Sequence, residues 1–321
     1  MLYAGTTWLL SFKYSILNDI VKKLKQSSKS AGNNSIYENI VGTSETLRNE
    51  IAEDIKIDKI KPISVHVPVH KIPANDNEFG HYLAGLIEGD GHFSSKQQLV
   101  IVFNSSDNYL AYLIKRYIGY GSVHKVKNKN AVLLIIAAKE GIIKIINLIN
   151  GKIRTKNKFD QIINNILNHP NFSDFNKTIN FKLNLNNDLR NYWLAGVSDA
   201  DASFQIKTIN RNNKTEIRLN FQIDQKKEDI LIKIKSFLGG NIGYRKSQDT
   251  YYYGSTSFGS AKKVINYFDH FHLLSSKHVN YLKWRKVYLI IQKKDHLNNK
   301  GIERIIKLKK TMNSFNNFTA I

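Results

Sequence analysis

The chain has 321 residues, a formal net charge of +22 and no cysteine; 42% of its residues are hydrophobic, with 16 Phe, 16 Tyr and 3 Trp. That length holds two domains or one duplicated domain, and the apolar share is enough to build real cores. The lack of cysteine excludes a disulfide scaffold, cysteine zinc knuckles and thiol nucleophiles. No apolar run reaches the roughly 18 residues that a bilayer span requires, so no membrane-embedded partner is expected. The opening MLYAGTTWLLSF is apolar but lacks the basic start and small-residue cleavage site of a secretion signal.

The charge is unevenly placed. Residues 1–79 carry 10 basic and 9 acidic side chains, leaving 38 basic and 17 acidic for the rest. A field that strong opposes compaction unless an anionic partner offsets it. Nucleic acid is therefore the expected partner of the part after residue 80, with an acidic membrane surface second.

In chain order, residues 11–25 have the periodicity of an amphipathic helix, and 27–44 form a Ser/Asn/Gly-rich connection. Pro62, Pro68 and Pro73 crowd one extended stretch, so residues 1–79 are expected to be an extension and linker with little chemistry. A first repeat, 80–167, opens with HYLAGLIEGDGHFSSK, continues through the strand-like QQLVIVF, and reaches a periodic helix, YLAYLIKRYIG, that stops at glycine. Pro170 marks a connection over 168–190. A second repeat, 191–321, opens with NYWLAGVSDADASFQIK, its Leu-Ala-Gly falling 111 residues after the first. EIRLNFQI and ILIKIKSFLGG follow, and the polar loop TINRNNKTE lengthens this repeat's hairpin. Further on, GKIRTKNKFDQI is loosely echoed by HLLSSKHVNYLKW. The strand at 216–224 alternates: Ile217, Leu219, Phe221 and Ile223 one way, Glu216, Arg218, Asn220, Gln222 and Asp224 the other. That is an antiparallel sheet with one wet face. QQLVIVF is apolar on both faces.

Each repeat begins with a helix carrying small residues four apart, Gly85 and Gly89 in one, Gly196 and Ala200 in the other. Four apart means one face, and small side chains there let two helix backbones close up. One residue further stand Asp90 and Asp201, at helix C-termini, where a carboxylate opposes the macrodipole by ~0.3–1 kcal/mol. If the helices pack about a pseudo-twofold axis, the two carboxylates converge and raise each other's pKa unless a divalent ion neutralises them. Hard oxygen ligands select Mg²⁺, and two acids, metal and a basic surface suit phosphodiester hydrolysis. Glu88 and Asp199, two residues earlier, point elsewhere and read as structural or solvent-facing.

LAGLIEGDG at 83–91 and LAGVSDADA at 194–202 resemble the two copies of the LAGLIDADG motif of homing endonucleases of the single-chain, two-motif kind. Ala202 in place of the last glycine, and Val197 with Ser198, depart from that motif. The resemblance implies an α+β protein of two pseudo-symmetric αββαββα repeats, with the motif helices at their interface and a saddle of antiparallel strands lying in the DNA major groove. It implies a monomer that cuts double-stranded DNA at a long specific site, with Asp90 and Asp201 as catalytic acids and metal ligands. Polar or basic side chains are expected around the metals: Gln98 in the first repeat, and in the second Arg218, which suits a basic role better than Glu216. Lys125 and Arg245 are expected at phosphates. Ser94 and Lys96, with His92, match Ser203, Gln205 and Lys207 as candidate DNA contacts. Arg218, Asn220, Gln222, Gln205 and Lys207 have donors and acceptors suited to base edges, with Lys246 and Arg211 near a backbone or loop edge. Relatives in fungal mitochondrial introns also act as maturases, so the host intron RNA is a second expected partner and the mitochondrion the expected compartment.

Overall fold

Asn75 accepts a hydrogen bond from the backbone of Glu78 and so caps helix α1 (Asp76–Asp90), which ends where Gly91 turns extended. The structure, a computed structural model, describes residues 61–211 and 214–312. The expected helix at 11–25, the connection at 27–44 and the side chain of Arg211 lie outside the described residues.

After α1 come β1 (Gly91–Phe93), β2 (Leu99–Asn104), α2 (Asn108–Ile118), β3 (Ser122–Lys125), β4 (Ala131–Ile136), α3 (Lys139–Ile149) and α4 (Lys156–Ile162). Helix α2 stops at Gly119, whose φ of +87° is a conformation open to glycine at little cost. A short helix, α5 (Ser173–Thr178), lies in the connection. The second half repeats the pattern: α6 (Trp193–Asp201), β5 (Ala202–Arg211), β6 (Lys214–Gln225), α7 (Asp229–Leu238), β7 (Asn241–Arg245), β8 (Thr250–Ser255), α8 (Phe258–Phe268), then α9 (Lys277–Gln292) and α10 (Asn299–Lys310). The two antiparallel sheets have orders β1-β2-β4-β3 and β5-β6-β8-β7, the same topology twice. This is the expected α+β duplication of αββαββα units.

Each sheet buries one face. Val132, Leu134 and Ile136 of β4 and Leu219, Phe221 and Ile223 of β6 point into the core. In β2, Leu99, Ile101 and Phe103 are buried while Val102 is 40% exposed, so that strand does have an outward face, made of Val100, Val102 and Asn104. Asn220 departs from the alternation reading: it lies on the polar face yet is only 3% exposed, packed beneath its polar neighbours.

The motif helices α1 and α6 pack backbone to backbone. A Cβ on Gly196 would stand 2.1 Å from the carbonyl oxygen of Tyr82, and one on Gly89 2.2 Å from the Cβ of Ala200. Larger residues at these positions would hold the helices apart.

Residues 61–75 are held along the second repeat. Gln292 on α9 exchanges hydrogen bonds with the backbone of Ile63, 2.9 Å and 3.1 Å long. Arg285, 1% exposed, pairs with Asp269 at 2.8 Å and donates to the carbonyls of Ser64 and His66. The stretch read as chemically plain linker is thus a docked strap.

Candidate active site

Asp90 closes α1 and Asp201 closes α6, so the close approach of the helices carries both carboxylates to one place. A Cβ on Gly89 would lie 2.8 Å from Oδ2 of Asp201. Burial, and then the charge of Asp201, push the Asp90 carboxyl up to about 6 from an ordinary 3.8. Burial also raises Asp201, against the opposing pull of Lys277 and of a hydrogen bond from Gln225. Nε2 of Gln225 donates to Oδ2 of Asp201 at 2.6 Å. Among the described residues, Asp90 has no matching donor. Strand register pairs Gly91 with Ile101 and Ala202 with Ile223, so the first-repeat counterpart of Gln225 is Phe103, buried and apolar.

Two lysines complete the cluster. Nζ of Lys277, first residue of α9, donates to the carbonyls of Ala200 at 2.6 Å and Ser198 at 3.2 Å, at the C-terminal end of α6. Nζ of Lys158 on α4 donates to the carbonyl of Gly91, just past α1. Cations at helix C-termini offset the macrodipole that the two aspartates oppose. Burial lowers the pKa of both lysines, while the nearby aspartates raise it.

Glu88 and Asp199 are structural and buried, not solvent-facing. Oε1 of Glu88 accepts the backbone N–H groups of Arg154 and Thr155, each at 2.6 Å, and Oε2 accepts the indole N–H of Trp193 on the opposite motif helix. Asp199 accepts the backbone N–H of Leu274 at 2.7 Å, the hydroxyl of Ser275 at 2.5 Å, and the hydroxyl of Tyr82, again from the opposite motif helix, at 2.7 Å. Each acid therefore ties the partner repeat's motif helix to the entry of its own repeat's lysine-bearing helix. Burial raises the pKa of both acids in spite of these donors.

The wet face of the second sheet gathers most of the expected DNA contacts. Register sets Ser203 opposite Gln222, Gln205 opposite Asn220 and Lys207 opposite Arg218. Nδ2 of Asn220 donates to Gln205 at 3.1 Å and Gln222 at 3.2 Å, and Gln222 donates to Asp224 at 3.0 Å. Arg245 joins them, 2.8 Å from Asp224 and 4.7 Å over the Tyr252 ring. Lys246 is exposed in the turn beyond. In the first repeat the hairpin is short: Ser94 and Gln98 close its tip, Lys96 is exposed there, and His92 faces outward opposite Val100. Lys125 is exposed at the end of β3 but pairs with buried Val132, on the face away from His124.

The structure does not bring Gln98 or Arg218 to the acids. Gln98 stands at the hairpin tip, in register with Asn220 of the second repeat. Arg218 is seven residues along β6 from Gln225, or roughly 23 Å at strand rise, and its guanidinium is paired with Glu216 at 2.5 Å. The residues beside the acids are instead Gln225, Lys158 and Lys277. The one sequence signal for the lysines was the loose echo between GKIRTKNKFDQI and HLLSSKHVNYLKW.

Comparison with known proteins agrees with this architecture. The sequence profile of the LAGLIDADG endonuclease family matches residues 83–165 and 194–288. An uncharacterized cox1 intron-2 protein of Schizosaccharomyces pombe is 63% identical over 96% of this chain and 95% of its own length. The intron-encoded DNA endonuclease aI3 of Saccharomyces cerevisiae is 28% identical over 69% of this chain and 66% of its own length. The intron-encoded RNA maturase bI4 of the same yeast is 29% identical over 66% of this chain and 33% of its own length. Among solved structures, I-SmaMI bound to an uncleaved DNA target in the presence of calcium ions superposes with a TM-score of 0.57 at 23% identity, covering 73% of this chain and 98% of that one. With its family profile matched in both halves over the duplicated fold, this chain belongs to the LAGLIDADG endonuclease family.

Proposed function

We propose that this chain is a monomeric, site-specific double-strand DNA endonuclease whose Asp90 and Asp201 jointly hold divalent metal, Mg²⁺ in the cell. The observation that carries the reading is the convergence of two half-buried carboxylates, both with raised pKa, at the ends of the two closely packed motif helices. Carboxylates pushed together against their own repulsion fit a hard dication, which both neutralises them and prefers oxygen. When bound, such a metal supplies an activated water and neutralises charge building on the phosphate. The chain's own residues do the rest. Gln225 holds the Asp201 carboxylate in orientation. The ammonium groups of Lys158 and Lys277 stand ready for a non-bridging phosphate oxygen or the leaving oxygen. Glu88 and Asp199 position those lysines through the segments that they anchor. Gln205, Lys207, Arg218 and Gln222 face the major groove, with Asn220 orienting the two glutamines from below, while Arg245 and Lys246 lie toward the backbone.

The intron-encoded relatives support a mitochondrial intron product that cuts the intron-less allele of its host gene. The maturase relative supports a second reading, in which the same basic surface binds the host intron RNA.

The test is a cleavage assay with Mg²⁺ on DNA carrying the intron-less insertion site, beside a splicing assay on the intron. Asp90→Asn and Asp201→Asn are each expected to abolish cutting while DNA binding survives. Wild-type cutting of both strands by either variant would overturn the assignment.

A further inference from the structure

We propose that His70, His272 and His278 form a second metal site, selective for a borderline cation such as Zn²⁺, which staples the strap at 61–75 to the start of α9. It is distinct from the acid pair in place and in chemistry. His70 comes from the strap, His272 from the turn before α9, and His278 from the first turn of α9. One ring nitrogen from each lies within 4.8 Å of the others. The ring centroids are 4.4 Å apart for His70 and His278, and 5.2 Å for His70 and His272.

Two features distinguish this trio from a chance cluster. First, Nδ1 of His272 and Nδ1 of His278 are both buried with no hydrogen-bond partner. A buried polar nitrogen without a partner is costly, and here the two rings that carry one stand together beside a third imidazole. A cation satisfies both. Second, Nε2 of His70 is 2.9 Å from the carbonyl of Leu273. With that nitrogen donating, Nδ1 is the basic nitrogen of the ring, and a carbonyl bond of this kind orients the histidine ligands of metal sites.

Three imidazoles select zinc over magnesium, which prefers oxygen and keeps its waters. Zinc–nitrogen bonds of about 2.0–2.1 Å require nitrogens roughly 3.4 Å apart, so the rings must close on the ion. His70 lies on an exposed segment and can move to do so. Because His70 is exposed, water could fill the fourth position. The position carries a consequence: Lys277, which lies against the ends of the motif helices, directly precedes His278, so the ion would also fix the entry of α9.

The experiment uses the full chain, stripped with a chelator and titrated with Zn²⁺ alone. One nitrogen-bound ion per chain is expected beyond any that the acid pair takes up, with a rise in Tm, and Co²⁺ in its place should give the visible absorption of a tetrahedral nitrogen site. His70→Ala removes an exposed ligand and one hydrogen bond to the Leu273 carbonyl, so its metal-free Tm should fall only slightly while its zinc affinity falls on the order of 100-fold or more. His66→Ala, nearby on the strap and outside the trio, should bind as wild type does. Asp201→Asn should also keep its zinc. The proposal is overturned if the wild-type chain takes up no zinc at micromolar concentration, if His70→Ala binds it unchanged, or if the ion is lost from Asp201→Asn instead.

Discussion

The carbonyl oxygen of Trp193 lies 2.0 Å from where a Cβ on Gly85 would stand, and the carbonyl of Tyr82 occupies the matching place at Gly196. The two contacts are related by the pseudo-twofold axis, since Gly85 and Gly196 differ by the same 111 positions as Tyr82 and Trp193. Direct backbone contact between α1 and α6 is what sets the separation of Asp90 and Asp201.

Gly85→Ala and Gly196→Ala each place a methyl group on a backbone carbonyl that cannot rotate away. Each is expected to destabilise the fold by ~1–3 kcal/mol or more, read as a shift in the urea midpoint. Cleavage should fall further than DNA affinity, because spreading the helices separates the acids first. Wild-type stability in both variants would show that the helices have slack.

Asp90 makes the metal-free protein sensitive to pH. Its folded pKa of about 6 lies above the ordinary 3.8, so its contribution to stability is full below about 3.8 and is lost as pH rises through about 6. Asparagine mimics the neutral acid. Metal-free Asp90→Asn should therefore melt above wild type at pH 8, by on the order of 1 kcal/mol after allowing for water that reaches the site. The gap should close toward pH 4.5. Magnesium should reverse the order at pH 8, because only the wild type gains a neutralising ion; melts at the two pH values, with and without Mg²⁺, check both signs.

Removing either ammonium group beside the acids should slow cutting without loosening DNA. Lys158→Met and Lys277→Met are each expected to lower the single-turnover cleavage rate by roughly 10²-fold or more. Lys156→Met, at a position 81% exposed and paired with Asp160, should leave it unchanged. Equal losses at Lys156 and Lys158 would mean that the lysines act only through general charge.

Base readers and phosphate contacts separate by salt. Gln205→Ala and Gln222→Ala should each relax discrimination at particular base pairs by ~1–3 kcal/mol, and Asn220→Ala should relax both positions together because it orients both glutamines. Lys246→Ala should instead weaken all sequences alike and reduce the slope of log affinity against log salt by about one. Binding to a panel of single-base variants at two salt concentrations distinguishes these outcomes.

Much of the site was legible from repetition. Gly85, Gly89, Gly196, Ala200, Asp90 and Asp201 stand at matching offsets in two copies, and a helix period of 3.6 residues is enough to put the small residues on one face and the acids at one end. The lysines were not legible by offset. Thr155 and Ser276 are the N-caps of α4 and α9, so Lys156 is the counterpart of Lys277, yet Lys156 pairs with Asp160 and Lys158, two residues on, reaches Gly91. Gln225 was hidden differently: it continues the inward-facing row of Phe221 and Ile223, and only the end of α6 turns that position into a polar site. Gln98 and Arg218 were chosen by distance along the chain from each motif, which misleads when β1 has 3 residues and β5 has 10.

The amino-acid sequence by itself determined the duplication, the two helix-terminal acids, the small-residue seam and the wet face of β6, because each follows from a local period or from composition. Tertiary structure alone decided which side chains meet the acids, and that the strap before residue 76 brings His70 to His272 and His278. Those encounters depend on how closely two helices cross, where two strands come into register and where a distant segment docks. None of these is encoded in residue spacing, since packing between elements is set by the shapes that touch.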